Sequence, residues 1–395
     1  MISAVVLWII QYKYILLFYL VIIVLLYIKR KQIDVQGKII FLYRMKWGLK
    51  WMDKVSAKYR EWIILFGYIG VGAGFVGLAV ISYVLVKNLI DLITNPTAQS
   101  GVSLVLPGIN VPGLGVLPFW YWLIAIFIIA LVHEFAHGVV ARAHRIEVKN
   151  TGIVLFGPII GAFVEPNEKK MAKDKDIVQY SILAAGAFTN VILAVLAVLL
   201  LTFAFAPAQQ AMVQPTGFTF DAYVNENFPF AQAGIAPGTV ITGINGIATL
   251  DFQQFSDELT SIKPGETITV QTPEKDYALQ VAANPDDQKK PFLGIQSIRN
   301  EFEVKPMYDV GLWKIVYYVV DWLAGFLRWL FLLSFGIGLF NLLPLPLVDG
   351  GRMAQTFLHK LKGPEMGERR YRQVGMFFLL ILLLNLFFPL IQKLF

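Results

Sequence analysis

Between Ile124 and Arg145 the chain reads IAIFIIALVHEFAHGVVARAHR, an apolar run interrupted by His133, Glu134 and His137. Polar residues inside a membrane helix cost about 2–4 kcal/mol each near its centre, so three together call for a function. On a helix His133 and His137 stack on one face, where two imidazoles can grip one zinc ion. Glu134, about 100° further round, can reach a water at that ion, which is the HExxH arrangement. Two histidines satisfied in a polar helix–helix seam would give the same spacing. In lipid such a seam is expensive, and only four histidines exist in the whole chain.

A catalytic zinc commonly has three protein ligands and one open position. His144 lies seven residues beyond His137, about 10 Å along the axis, and is read as interfacial. His359 falls in a charged segment and is read as solvated. Asp349 follows Pro344 and Pro346 and precedes Gly350-Gly351. Prolines break the helix there and glycines let the backbone turn. Freed backbone at membrane depth must line protein or water. Asp349 is therefore either the third metal ligand or a carboxylate capping the helix that starts near Gly350.

The elements that must position these residues follow from composition. The 395 residues are 56% hydrophobic and 15% charged, against roughly 25% charged in soluble proteins, and the chain reads as a multi-pass membrane protein. There is no cysteine, which excludes disulfides, thiolate metal sites and cysteine nucleophiles. The net charge of +7 sits in loops beside spans, where it sets orientation and meets lipid headgroups rather than nucleic acid.

Six spans are predicted. An uncleaved first span is best defined over 14–28. A basic, aromatic-rich stretch, 29–60, follows, with ten Lys/Arg against Asp34 and Asp53, and is expected on the cytosolic membrane face. The second span, 62–86, is rich in glycine, so neighbours can approach closely. Residues 88–120 contain no Lys or Arg and are punctuated by Pro96, Pro107, Pro112 and Pro118, as in an outer loop. Phe119–Trp122 form an aromatic belt at the entrance of the third span, and Arg142, Arg145 and Lys149 mark its cytosolic end. His133 lies about 14 Å from Arg142 and about 20 Å from Trp120, in the cytosolic half.

Residues 151–165 are β-branched and broken by Gly152, Gly157, Pro158 and Gly161, too short for a span. They are read as a re-entrant loop or hairpin against the site, or as an amphipathic connector. The fourth span covers 180–205, the fifth 311–343 and the last 374–395. Between the fourth and fifth, strand-length runs and the turns Pro237-Gly238, Asn245-Gly246 and Pro264-Gly265 predict a soluble insert. Alternation of sides puts it outside the cell and puts Asp349 on the HExxH side. The expected organisation is 1–60 (first span and interfacial segment), 61–206 (first part of the membrane core), 207–303 (insert) and 304–395 (second part).

His133-Glu134-Phe-Ala-His137 together with Asn341-x-x-Pro344-x-x-x-x-Asp349-Gly350 resembles the site-2 proteases, intramembrane zinc metalloproteases. Gly186-x-x-x-Asn190 also resembles a family element. The resemblance covers about 116–205 and 311–362. It implies cleavage of a substrate's transmembrane helix, usually after another protease has trimmed its outer domain. By the same resemblance Zn2+ is held by His133, His137 and Asp349, and Glu134 is catalytic. Asn190 and Asn341 steady the substrate backbone or the oxyanion, and 151–165 is a membrane-dipping hairpin that pairs with an unwound substrate. The insert, through Phe230-Ala-Gln-Ala-Gly234 to Ile244-Asn245-Gly246, resembles a PDZ domain, with Thr239 where Asp is common. No carboxylate-binding loop stands out near Thr216-Gly217-Phe218. The insert would bind peptides or substrate ectodomains, or gate substrate size. Transmembrane substrates and the lipid bilayer are the implied partners.

Two other classes fit some of the same features. A transporter or metal permease would also carry broken helices and intramembrane charge, but the halves show no internal repeat. A non-catalytic receptor would act through the insert alone and tolerate alanine in HExxH.

Overall fold

The structure is a computed structural model describing residues 2–37, 40–95, 98, 100–102, 106–108, 110–111, 115–156 and 159–392. Pro96, Pro112, Gly157 and Pro158 lie outside the described residues. Among those described, six helices are long and apolar enough to cross a membrane: Tyr12–Lys29, Arg60–Thr94, Phe119–Ala143, Asp176–Met212, Gly311–Phe340 and Pro364–Phe388. The chain divides into two compact units, residues 1–201 with 325–395, and residues 202–324.

The first unit begins with α1 (Ile2–Lys29), β1 (Ile33–Gln36), β2 (Ile40–Met45), α2 (Leu49–Lys58) and α3 (Arg60–Thr94). Two short strands, β3 (Asn110–Val111) and β4 (Gly115–Val116), precede α4 (Phe119–Ala143), which carries the HExxH residues. Then come β5 (Val148–Phe156), β6 (Ile159–Pro166), α5 (Glu168–Met171) and α6 (Asp176–Leu200).

Helix α6 is the axis of the bundle. Its residues Ala184, Ala185 and Ala187 are fully buried. Small side chains let α3 come close from one side: a Cβ on Gly67 would lie 3.1 Å from Ser181, and one on Gly74 3.1 Å from Ala184. On another side α6 meets α4, where Val140, Ala141, Ile182 and Ala185 share one core cluster with Ile146, Val148 and Met171.

Residues 151–165 are part of a hairpin, β5–β6, running antiparallel from Val148↔Pro166 to Phe156↔Ile159. Strand β2 pairs with β5, Ile40↔Phe156 to Met45↔Thr151, and β1 with β2, so the sheet order is β1-β2-β5-β6. The stretch 29–60, read from sequence as an interfacial segment, thus supplies two strands before the amphipathic α2. Strand β6 is left at the edge of this sheet.

The second unit contains α7 (Ala206–Met212), β7 (Val213–Tyr223), α8 (Pro229–Gln232), β8 (Gly243–Ile244), β9 (Ile247–Ala248), α9 (Phe252–Thr260), β10 (Thr267–Gln271), β11 (Asp276–Gln280), β12 (Ala282–Ala283), β13 (Pro291–Phe292) and β14 (Ile295–Val304). Its core is Phe218, Phe220, Phe230, Ile241, Ile244, Phe255, Ile268 and Val270, all at most 1% exposed. Asn245 and Gly246 both take positive φ (52° and 84°) and join β8 to β9, as their turn chemistry predicts. The chain continues through α10 (Gly311–Phe340), which runs from the second unit into the first, to α11 (Asp349–Lys362) and α12 (Pro364–Gln392). Within the first unit Leu342 and Met353 pack into the cluster of Val71, Tyr180, Leu183 and Ala184 on α3 and α6.

Candidate metal centre

Helix α4 presents His133 and His137 one turn apart, both 8% exposed, with ring centroids 4.7 Å apart. Their Nε2 atoms are 3.1 Å apart. Asp349 reaches them from a segment more than 200 residues downstream. Its Oδ2 lies 3.2 Å from Nε2 of His133 and 3.3 Å from Nε2 of His137. Asp349 is the first residue of α11, and Val348 occupies the cap position. The Asp349 carboxylate is therefore turned to the imidazoles.

The bend that delivers Asp349 is built by local backbone. Asn341 directly follows α10, and its carbonyl accepts from Gly350 N at 2.7 Å. A Cβ on Gly350 would lie 2.6 Å from Leu342 Cα, so only glycine lets the 341–345 segment fold over the start of α11. Arg352 and Lys360 of α11 pair with Glu168 and Asp176, each at 2.9 Å.

Three donors 3.1–3.3 Å apart suit one small cation. A tetrahedral zinc about 2.0–2.1 Å from each ligand sets its ligands about 3.3 Å from one another. Two imidazole nitrogens and a carboxylate oxygen brought together at this range form a ligand set for a divalent cation. The space is kept open by Gly186 of α6. A Cβ there would sit 2.6 Å from Nε2 of His133 and closer still to Nε2 of His137. The residues fit zinc.

Helix α6 also meets the outer nitrogens of both rings. His137 Nδ1 lies 2.6 Å from the Ile182 carbonyl, and His133 Nδ1 lies 3.1 Å from the fully buried Asn190 amide. Residues 182, 186 and 190 are spaced by four and form one stripe facing α4. Ser334 of α10 donates to the Asn190 carbonyl at 2.7 Å.

Glu134 lies about 100° round α4 from His133, on the side toward β6. Its Oε2 accepts from Val164 N of β6 at 2.8 Å. Glu134 lines an apolar cavity of about 620 Å³ between α4 and the sheet, with Phe127, Ala130 and Leu131 of α4 and Ile160 and Ala162 of β6. Since Val164 N–H faces Glu134 and not β5, the residue two positions away on β6, Ala162, also turns its backbone groups to the open edge.

Of the sequence candidates, His133, Glu134, His137, Asn190 and Asp349 converge. Asn341 contributes its backbone to the Asp349 bend. His144 lies apart, 3.1 Å from Ser181 Oγ, and His359 pairs with Glu368 at 3.2 Å. Sequence reasoning missed Ile182, Ser334 and Val164. Two of these act through backbone atoms, which no residue type signals; Ser334 was visible as a hydroxyl in an apolar span.

Comparison with known proteins agrees with this geometry. Residues 121–384, well over half of the chain, match the family model described as Peptidase family M50. An uncharacterized protein of Methanocaldococcus jannaschii is 27% identical over 372 residues, covering 92% of this chain and 90% of that protein. The zinc metalloprotease RasP of Shouchella clausii is 24% identical over 212 residues, 43% of this chain and 50% of RasP. The protease RseP of Photorhabdus luminescens is 39% identical over 69 residues, 16% of this chain and 30% of RseP. Among solved structures, the PDZ domain of an SdrC-like protein from Listeria monocytogenes is 26% identical, covering 20% of this chain and 86% of that domain at a TM-score of 0.18. With its His133–His137–Asp349 cluster, the chain belongs to peptidase family M50 and is a zinc metalloprotease of the membrane.

Proposed function

We propose that the protein cleaves transmembrane helices of membrane-bound substrates within the bilayer, in regulated intramembrane proteolysis. One observation carries the reading: His133, Glu134 and His137 on membrane helix α4 meet Asp349 of α11, and Glu134 lines an apolar cavity bordered by the edge strand β6. His133 and His137 would hold zinc through Nε2 and Asp349 through Oδ2. Bound zinc supplies a Lewis acid that makes water nucleophilic near neutral pH.

Glu134 is the general base. Its carboxylate takes the proton of the attacking water and returns it to the leaving amine. A helical peptide bond is shielded by its own hydrogen bonds, so the substrate must unwind first. The open edge of β6 offers the replacement partners: backbone groups at Ala162, one strand step from the Val164 N–H that Glu134 holds. The apolar cavity takes the side chains of the unwound segment. Asn190 and Asn341 would steady the substrate backbone or the developing negative charge.

The basic residues Arg142, Arg145 and Lys149 support an active site in the cytosolic half of the membrane, with the insert on the opposite face. The insert is a peptide-binding module in this reading. Phe218, where a carboxylate-binding loop was sought from sequence, is instead a strand residue bridged to Ile241 and paired with Asn300 of β14. Among the described residues β14 pairs only with β7, and its residue Asn300 accepts from Phe252 N of α9 at 2.9 Å. The segment Phe292-Leu293-Gly294-Ile295 leads into that strand, and an extended peptide or substrate ectodomain would add between β14 and α9.

The test is cleavage of a single-span substrate reconstituted in vesicles with the full-length protein, with fragment masses read by mass spectrometry. Cuts inside the span are expected from the wild type. Glu134→Gln is expected to retain zinc and lose turnover by about 10²–10⁴-fold. Cuts only outside the span, or a Glu134→Gln variant of normal turnover, refute the reading.

A further inference from the structure

The Asn190 amide stands 3.1 Å from Nδ1 of His133 with its Nδ2 end toward the ring, and its Oδ1 is buried without a partner. The two ends of an amide exchange by a half-turn about the last side-chain bond, and the hydrogen-bond network decides which way it faces. Here the ring decides. A histidine that binds a metal through Nε2 carries its proton on Nδ1, and that N–H requires an acceptor. An amide N–H facing it would set donor against donor. His137 already follows the rule, its Nδ1 lying 2.6 Å from the Ile182 carbonyl, two helical turns from Asn190 on the same stripe.

We propose that Asn190 is a positioning residue that fixes the metal-binding tautomer of His133, accepting its Nδ1–H through Oδ1 as the Ile182 carbonyl does for His137. The half-turn gives the buried Oδ1 its missing partner. It also moves the NH2 to the buried position that Oδ1 now holds. Helix α6 thereby sets both imidazoles from behind: Ile182 for one, Asn190 for the other, and Gly186 between them with no side chain in the way. Ser334 of α10 donates to the Asn190 backbone carbonyl at 2.7 Å, which fixes the backbone that carries the amide. Four members of this arrangement leave no trace in an HExxH pattern, since none of them is a ligand.

The inference rests on the zinc-protease reading and is tested separately from it. The full-length protein in detergent is compared as wild type, Asn190→Asp, Asn190→Leu and His137→Ala. Zinc content is measured after gel filtration, affinity by competition with a chromophoric chelator, and ligand geometry by visible absorption of the cobalt(II)-loaded protein. Asparagine and aspartate both offer an oxygen, while leucine offers shape alone. Asn190→Asp is expected to keep zinc within about threefold of wild type and an unchanged cobalt spectrum. Asn190→Leu is expected to weaken zinc by about 10–100-fold, the usual cost of removing an outer hydrogen-bond partner of a ligand, and to shift the cobalt bands. Should Asn190→Leu not elute as a folded species, Asn190→Ala takes its place with the same expectation.

Zinc held at wild-type affinity by the leucine or alanine variant overturns the proposal. So does an aspartate variant that loses zinc as badly as leucine. An aspartate variant that keeps zinc and the wild-type cobalt spectrum supports the proposal. His137→Ala retaining wild-type zinc affinity would overturn the metal centre itself, and this proposal with it; the Asn190 variants alone leave that centre standing.

Discussion

Replacing Gly186 by alanine separates helix stability from metal binding. Two effects of opposite sign follow. In a helix interior alanine is favoured over glycine by about 0.8–1.0 kcal/mol, so propensity alone stabilises α6. The new methyl, however, would lie 2.6 Å from Nε2 of His133 and nearer to Nε2 of His137. Ordinary contact begins at 3.4 Å, so the His133 ring must retreat by about 0.8 Å. Metal–ligand distances tolerate about ±0.2 Å, and the retreat is about four times that allowance. At least one imidazole therefore leaves bonding range. We expect zinc affinity to fall at least about 100-fold, or about 2.7 kcal/mol, with the metal-free protein shifted only by the balance of the propensity gain against about 1–3 kcal/mol of overpacking. Chelator competition reads the first quantity, and thermal unfolding of chelator-treated samples the second. A Gly186→Ala protein holding zinc at wild-type affinity would show that the ligands do not occupy the arrangement described, and the geometric argument would fail.

Asp349→Asn should weaken zinc retention without unfolding the bundle, and undiminished metal content after dialysis against chelator would refute its place as a ligand. Ala162→Pro removes an outward N–H from β6 without taking a hydrogen bond from β5; cleavage should fall more than about tenfold with zinc content unchanged, and normal turnover would exclude pairing at that edge. The hydrogen bonds of Arg44, 2.7 Å away, and of Gln36 hold the Asp34 carboxyl below its usual range. A carboxyl lowered on folding stabilises above its unfolded value of about 4 and loses that contribution as pH falls through the folded one. Amide exchange in β1 and β2 should therefore accelerate below about pH 4 in the wild type, after correction for intrinsic rates, and show a smaller change in Asp34→Asn; equal changes in the two would refute it.

Much of the site was legible because it is chemically improbable. Histidines and a glutamate have no reason to interrupt Ile124–Val140 unless they bind something, and two prolines before Asp349-Gly-Gly announce a bend. The six apolar helices were equally legible from hydropathy. The sheet was not. Strands β1 and β2 come from a stretch whose ten basic residues and exposed Trp47 and Trp51 mask its alternation, and its partner β5 lies about 100 residues away. Strand pairing is a long-range fact with no local marker beyond the alternation. The carbonyl of Ile182 and the N–H of Val164 were hidden for a different reason: every residue but proline has such groups. Asn190 was visible as an amide in an apolar span, but its neighbour His133 is 57 positions away.

The ligand set has a topological consequence. His133 and His137 precede residues 202–324 in the chain, and Asp349 follows them. An ion shared by these three side chains acts as a cross-link, closing a loop that contains the whole second unit. Closure entropy grows only logarithmically, about 0.6 kcal/mol for each doubling of loop length. The stapled core is accordingly almost indifferent to what is spliced into that loop, so the intervening module can be enlarged, exchanged or doubled at little thermodynamic cost to the metal-bound helices.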